Sequence, residues 1–285
     1  MLATIPFWSP DQFPFTVHLF DWGNTPIELH SFGVLCAIGF YLGTEIAAKK
    51  AGRDGLNPDV PRNLIGWVIG GAWLGGRISH ELFYEDFATR IASVPTQVFT
   101  PFGGLSSVGG LTVAICLVIW RIKYVEKVSF WPYADTACYG LMWGWIFGRM
   151  GCFSVHDHPG IQSKFPLAVD GICDPAELYW GVSSFACHDL GFYEMLWAIG
   201  GSVLFKFLDQ KRRRAGFYVG MIAALYGPFR FFSDFLRAID IRHFGLTAAQ
   251  FWAIGIFAVG VAVLYLRRNA SVVEPVATTP EQAKA

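Results

Sequence analysis

The sequence predicts an all-α, polytopic membrane protein with about seven transmembrane helices, its N-terminus outside and its C-terminus inside. Three observations carry that prediction. Only 15% of the 285 residues are charged, against roughly a quarter in a soluble domain, while 53% are hydrophobic and 31 are glycine. Seven segments stay mainly apolar over roughly the 17 to 25 residues that a span requires. Basic residues collect on alternate connections between those segments, the asymmetry that sets membrane orientation.

Residues 1–28 contain no Lys or Arg, and Pro and Asp interrupt their apolar run. They read as an outer, interfacial lead-in rather than a cleaved signal, with Phe7, Trp8, Phe13, Phe15, Phe20 and Trp22 as an aromatic belt. The spans follow near 29–48, 63–84, 104–122, 132–152, 190–208, 216–237 and 247–266. The last is the cleanest, uncharged from Phe251 to Leu266. With the N-terminus outside, fifteen Lys and Arg fall on inner segments, among them Lys49, Lys50, Arg121, Arg212, Arg213, Arg214, Arg267 and Arg268, against four outside. Residues 29–269 thus form one membrane domain with a long outer loop at about 153–189. The Ala, Glu, Pro and Thr content of 270–285 reads as a disordered cytoplasmic tail.

The formal charge is zero, with 22 basic and 22 acidic residues. No basic run is interleaved with exposed aromatics, so a nucleic-acid partner is not expected. Cys36, Cys116 and Cys138 fall inside spans as small apolar fillers. Cys173 and Cys187 share the outer loop, where either a disulfide or two free thiols fits. His156 and His158 flank Asp157, but spacing identifies no third ligand, so neither a metal nor another cofactor is expected.

Charged residues inside apolar segments need partners or a purpose. Arg77, Arg149 and Arg230 all approach the outer side in this topology, together with His80, Glu81 and Asp234. The opposite-running segments bring His30, Ser106, Ser107, Tyr193 and Glu194 to the same level. Bland readings stand beside each of these. Arg77 with Glu81 and Arg230 with Asp234 have i, i+4 spacing and can be local ion pairs, Arg149 can snorkel to the headgroups, and His30 can anchor its span. Gly109 and Gly110 in Gly103-Gly104-Leu105-Ser106-Ser107-Val108-Gly109-Gly110-Leu111 allow close approach of either a ligand or a neighbouring helix. What the bland readings do not explain is one shared level across six segments.

At these motifs the chain resembles the prolipoprotein diacylglyceryl transferases. Resemblance runs from about residue 29 to 267 and rests on Leu29-His30-Ser31-Phe32-Gly33, Leu74-Gly75-Gly76-Arg77-Ile78, the glycine-rich stretch above, Gly148-Arg149-Met150-Gly151-Cys152-Phe153, Tyr193-Glu194, and Tyr226-Gly227-Pro228-Phe229-Arg230 with Asp234-Phe235-Leu236-Arg237. Four positions depart from the family pattern. Val108 stands where it has His, Cys152 where it has Asn, Phe32 where it has Tyr and Asp234 where it has Glu.

The resemblance implies a bacterial inner-membrane enzyme that moves the diacylglyceryl group of phosphatidylglycerol to the lipobox cysteine of a prolipoprotein signal peptide, releasing glycerol phosphate. Arg149 and Arg230 would hold the lipid phosphate. Arg77, Ser107, Gly109, Gly110, Tyr193, Glu194, Tyr226 and Asp234 would shape the substrate site in the bilayer. With Val108 at the usual histidine position, the proton acceptor would be His30, His156, His158 or His188, unless arginines alone acidify the thiol. Two other readings are transfer to a different acceptor and non-catalytic binding or transport of anionic lipid.

Overall fold

Each of the seven apolar segments folds as a helix in the computed structural model, which describes residues 4–6, 8, 16–22, 25–83, 106–173, 186–238 and 242–272. The helices are α1 (Ser31–Arg53), α2 (Asp59–Phe83), α3 (Ser107–Trp120, continued by a π-helical turn at Arg121–Val125), α4 (Phe130–Val155), α5 (Leu190–Leu208), α6 (Phe217–Ser233) and α7 (Ala248–Leu266). Among the described residues two of them, α1 and α7, are long and apolar enough on their own to cross a membrane.

The helical architecture agrees with the all-α expectation, and small sheets are added at the end where α1 begins. A hairpin of β1 (Thr16–Trp22) and β2 (Thr25–His30) leads into α1. Between α4 and α5, β3 (Pro159–Gln162) and β4 (Val169–Asp170) flank β5 (Ala186–Asp189) in the order β3-β5-β4. Cys173 and Cys187 form a disulfide there, which settles the choice left open by their spacing. Further on, β6 (Arg242–His243) pairs β7 (Leu246–Thr247) just before α7. Outside a helix, strand pairing is how a chain satisfies its backbone donors and acceptors. The lead-in joins the same end: Ile5 bridges Val169, and the Trp8 indole packs on Phe153 and His156. Past 270, Ser271 accepts from the Ala215 N–H and Val272 bridges Arg214. Residues 273–285 lie outside the described residues.

Small residues let the helices pair at close range. On α1, Gly39 and Gly43 face Gly140 and Gly144 of α4, where an added Cβ on Gly39 would stand 2.6 Å from the Gly144 carbonyl oxygen. Helix α2 pairs with α3, α6 with α7, and α5 lies against α4. Successive helices run in opposite directions. At the starts of α1 and α5, Ser31 Oγ lies 3.4 Å from Ser154 Oγ of α4 and the Leu190 N–H donates to the His158 carbonyl at 3.1 Å. At the far end, Lys50 bridges Asp54 (2.6 Å) and Asp209 (2.7 Å), while Asp135 accepts from the N–H groups of Gly216 (2.7 Å) and Val219 (3.0 Å) at the start of α6.

The surface is inverted relative to a water-soluble protein. Helix α7 buries Gln250, Ala253 and Gly260 yet exposes Phe251, Trp252, Ile254, Phe257, Val259 and Val261. Arg77, Glu81, Asp135, Glu194 and Asp234 are buried inside. Contiguous exposed apolar area on this scale marks a membrane-facing surface.

Candidate active site

Glu194, one turn into α5, is the pivot of the polar cluster. Its side chain is fully buried, and its two oxygens are taken by two arginines from different helices. Arg149 of α4 reaches Oε2 at 2.8 Å, and Arg230 of α6 donates to Oε1 at 2.7 Å. The Tyr226 hydroxyl adds a longer contact to Oε2 at 3.5 Å.

Arg230 turns its other nitrogen to Asp234, one helical turn later, at 3.1 Å. Arg237 Nε also meets Asp234 Oδ1, at 3.3 Å. Behind Asp234 the Thr247 hydroxyl donates to Oδ2. Thr247 is the N-cap of α7 and shares a capping box with Gln250, whose side-chain amide also donates to the Phe231 carbonyl at 3.1 Å. One chain of contacts therefore runs from the cap of α7 through Asp234 and Arg230 to Glu194 and Arg149.

Exposure is graded along that chain. The side chains of Glu194 and Asp234 are 1% and 0% exposed, whereas those of Arg149, Arg230 and Arg237 are 20%, 15% and 23% exposed. Buried acids thus fix three guanidinium groups whose outer faces remain reachable. The planar guanidinium fork of these residues suits phosphate.

The turn after α4 covers one side of this cluster. His156 adopts a left-handed conformation (φ 50°), which folds the chain back so that its cap N–H groups meet the Cys152 and Phe153 carbonyls. Asn, Asp and His tolerate that region better than most residues. The His156 imidazole, fully buried, bonds Asp189 at 2.8 Å, and Asp189 also caps α5 by accepting from the Phe192 N–H at 3.0 Å. Asp157 and His158 then face the arginines. Partial desolvation raises the Asp157 carboxyl, whose side chain is still 38% exposed, to about 6 against the pull of Arg149. Burial together with the positive charges of Arg149, Arg237 and Arg230 holds His158 down at about 4.

Arg149, Arg230, Glu194, Tyr226 and Asp234, expected from sequence to act together, do meet in this cluster. Arg77 and Glu81 form a buried pair at 2.9 Å on α2. Gly109 and Gly110 turn towards α2, where a Cβ on Gly110 would stand 2.7 Å from the Ala72 carbonyl oxygen; their close approach is to a helix. His30 is exposed at the start of α1. His156 is enclosed by Asp189, Trp8 and Phe153, a setting that braces the turn. His188, in β5, bonds the Tyr193 hydroxyl at 2.6 Å, and Tyr193 reaches the Leu167 carbonyl at 3.4 Å. Ser107 begins α3, and its side chain lies outside the described residues. The sequence reading missed Thr247 and Gln250, although Thr-x-x-Gln is a capping-box signature. It also treated Cys152 only as a departure from a pattern, whereas its sulfur lies 3.7 Å from Arg149 and beside Asp157 and His158.

Fold and site together define a helical membrane protein with a cluster of arginines held by buried acids. Residues 19–266 match the prolipoprotein diacylglyceryl transferase family, and the chain belongs to that family. Among its relatives are proteins named phosphatidylglycerol–prolipoprotein diacylglyceryl transferase from Chromohalobacter salexigens (28% identical; 86% of this chain and 90% of the relative), Mannheimia succiniciproducens (30%; 86% and 92%) and Xanthomonas oryzae pv. oryzae (29%; 91% and 94%).

Proposed function

We propose that this protein transfers the diacylglyceryl group of phosphatidylglycerol to the lipobox cysteine of a prolipoprotein, forming a thioether and releasing glycerol phosphate. The observation that carries this reading is the pair of guanidinium groups, Arg149 and Arg230, anchored on the two oxygens of buried Glu194 with their outer faces reachable. A leaving phosphate gains charge as its carbon–oxygen bond breaks. Donors already in place for that charge stabilise the transition state without reorganisation.

In this reading Arg149 and Arg230 grip the phosphate, Glu194 and Asp234 hold them apart, and Tyr226 donates a hydrogen bond at the rim. The thiol loses its proton at this arginine-rich face, where nearby cations favour the thiolate. All seven helices span the bacterial inner membrane, N-terminus outside, and the site lies near the outer leaflet. The lipid then arrives laterally from the bilayer and the precursor by its signal helix.

Complementation tests this directly. Expressed in a bacterium depleted of its own transferase, the chain restores growth and the mass increase of one diacylglyceryl group on a lipoprotein reporter. Absence of that mass increase, with the protein present in the membrane, would rule the reading out.

A further inference from the structure

The turn at the end of α4 gathers three ligand-type side chains that sequence spacing does not bring together. Cys152 lies in the last turn of the helix, and the left-handed His156 returns the chain so that Asp157 and His158 stand over it. The Cys152 sulfur, an Asp157 carboxylate oxygen and a His158 ring nitrogen all lie within 4.8 Å of one another. His158 Nδ1 is 3.8 Å from Asp157 Oδ1. Bond lengths of about 2.0–2.3 Å place the donors of a tetrahedral zinc ion about 3.5 Å apart. Closing the cluster onto an ion thus requires movements of about an ångström, at side chains whose backbone is already pinned by the Asp157 N–H to Cys152 carbonyl bond (3.4 Å) and the Leu190 N–H to His158 carbonyl bond (3.1 Å).

We propose that Cys152, Asp157 and His158 bind a zinc ion and that its fourth position takes the acceptor's cysteine thiol. Donor chemistry selects the metal: one thiolate, one imidazole and one carboxylate suit zinc, whereas magnesium and calcium demand oxygen. Three protein ligands with one open position are the pattern of a reactive zinc site. Burial directs that opening, since Cys152 is buried while Asp157 is exposed and His158 partly so. Charge fits as well. A thiolate and a carboxylate cancel the two charges of the ion, so it does not repel Arg149, 3.7 Å from the sulfur.

This role rests on the transfer reaction proposed above. On coordination the acceptor S–H releases its proton to water. The sulfur electron pair then forms the new S–C bond as the C–O bond to phosphate breaks. The bonding pair leaves on the glycerol phosphate oxygen, whose charge Arg149 and Arg230 hold.

The test uses tag-free, full-length protein in detergent, titrated with cobalt(II) as a spectroscopic probe and back-titrated with zinc(II). One equivalent of cobalt with a thiolate charge-transfer band and tetrahedral d–d bands, displaced by zinc, is expected. Cys152→Ser removes the charge-transfer band. His158→Ala, altering a partly exposed side chain, weakens binding by more than about a hundredfold, the upper range for loss of a mere outer-shell partner. No stoichiometric cobalt spectrum in the wild type, or an unchanged one in folded Cys152→Ser, overturns the site. If the site binds but chelator-treated enzyme keeps full lipoprotein modification, the thiol role falls and the transfer reaction stands. If zinc-loaded enzyme modifies no lipoprotein, the transfer reading falls and the metal site stands.

Discussion

Glu194 accepts an ion pair on each oxygen, so Arg149 and Arg230 are positioned by the same buried charge. Replacing either arginine with alanine removes a phosphate donor and leaves part of a buried carboxylate uncompensated, which costs about 3–5 kcal/mol when a buried pair is broken. Modification of a lipoprotein peptide by Arg149→Ala or Arg230→Ala is expected to fall at least about a hundredfold. Arg230→Lys keeps the charge but cannot reach Glu194 and Asp234 together, so it recovers only a small part of the rate. A mass-spectrometric time course in phosphatidylglycerol vesicles measures each. A second residue-scale prediction concerns His188, whose imidazole is held below its ordinary pKa by partial burial. A group with a depressed folded-state pKa that is neutral when buried contributes its full stability above the unfolded value of about 6.5 and loses it as pH falls below that. The His188 ring should titrate below 6.5 by NMR, and Tm should decline on acidification through that range less steeply in His188→Gln.

At the element scale, the start of α7 is both a cap and a buttress. Thr247 accepts from the Gln250 N–H at 3.1 Å while donating to Asp234, so one hydroxyl terminates α7 and fixes the acid that orients Arg230 and Arg237. Thr247→Ala is expected to cost about 1–2 kcal/mol from the lost cap and hydrogen bond. It should lower Tm and raise KM for phosphatidylglycerol more than it lowers kcat, with Thr247→Ser restoring both. The sheet between α4 and α5 is tied by Cys173–Cys187, a loop of sequence separation 14. Closing a loop of that size contributes about 3 kcal/mol in the chain-entropy account. A Cys173→Ser, Cys187→Ser double variant should therefore melt at lower temperature, and a reductant should lower the wild-type Tm but not that of the variant.

Across the whole molecule, polar groups are sorted to the two ends and apolar ones face outward. The arginine cluster lies at one end, and Lys50, Asp54, Asp135 and Asp209 lie at the other. Lys164, between β3 and β4, and Lys211, between α5 and α6, are exposed at those opposite ends. In whole cells with a permeabilised outer membrane, and in a background whose free cysteines are alanine, a membrane-impermeant thiol reagent should label Lys164→Cys and spare Lys211→Cys until the inner membrane is opened. The reverse pattern would invert the proposed orientation.

Helix number and rough limits were legible in the sequence because an apolar run of membrane length reports on its solvent and needs no partner. The i, i+4 spacings of Arg77 with Glu81 and of Arg230 with Asp234 were legible for a related reason: both members ride on one helix. The same local logic could not tell which pair belonged to the site. Arg77 pairs with Glu81 on its own helix, while Arg230 also meets Glu194, 36 residues distant, because α5 and α6 run in opposite directions beside α4. Nor could spacing show that Cys152 meets Asp157 and His158, since that contact depends on a left-handed residue reversing the chain. The sequence by itself determined a membrane-embedded helical chain and the limits of its apolar segments. Only the tertiary structure decided which charges touch, because contacts between helices depend on how small residues let their backbones approach, and no periodicity within a single helix encodes that.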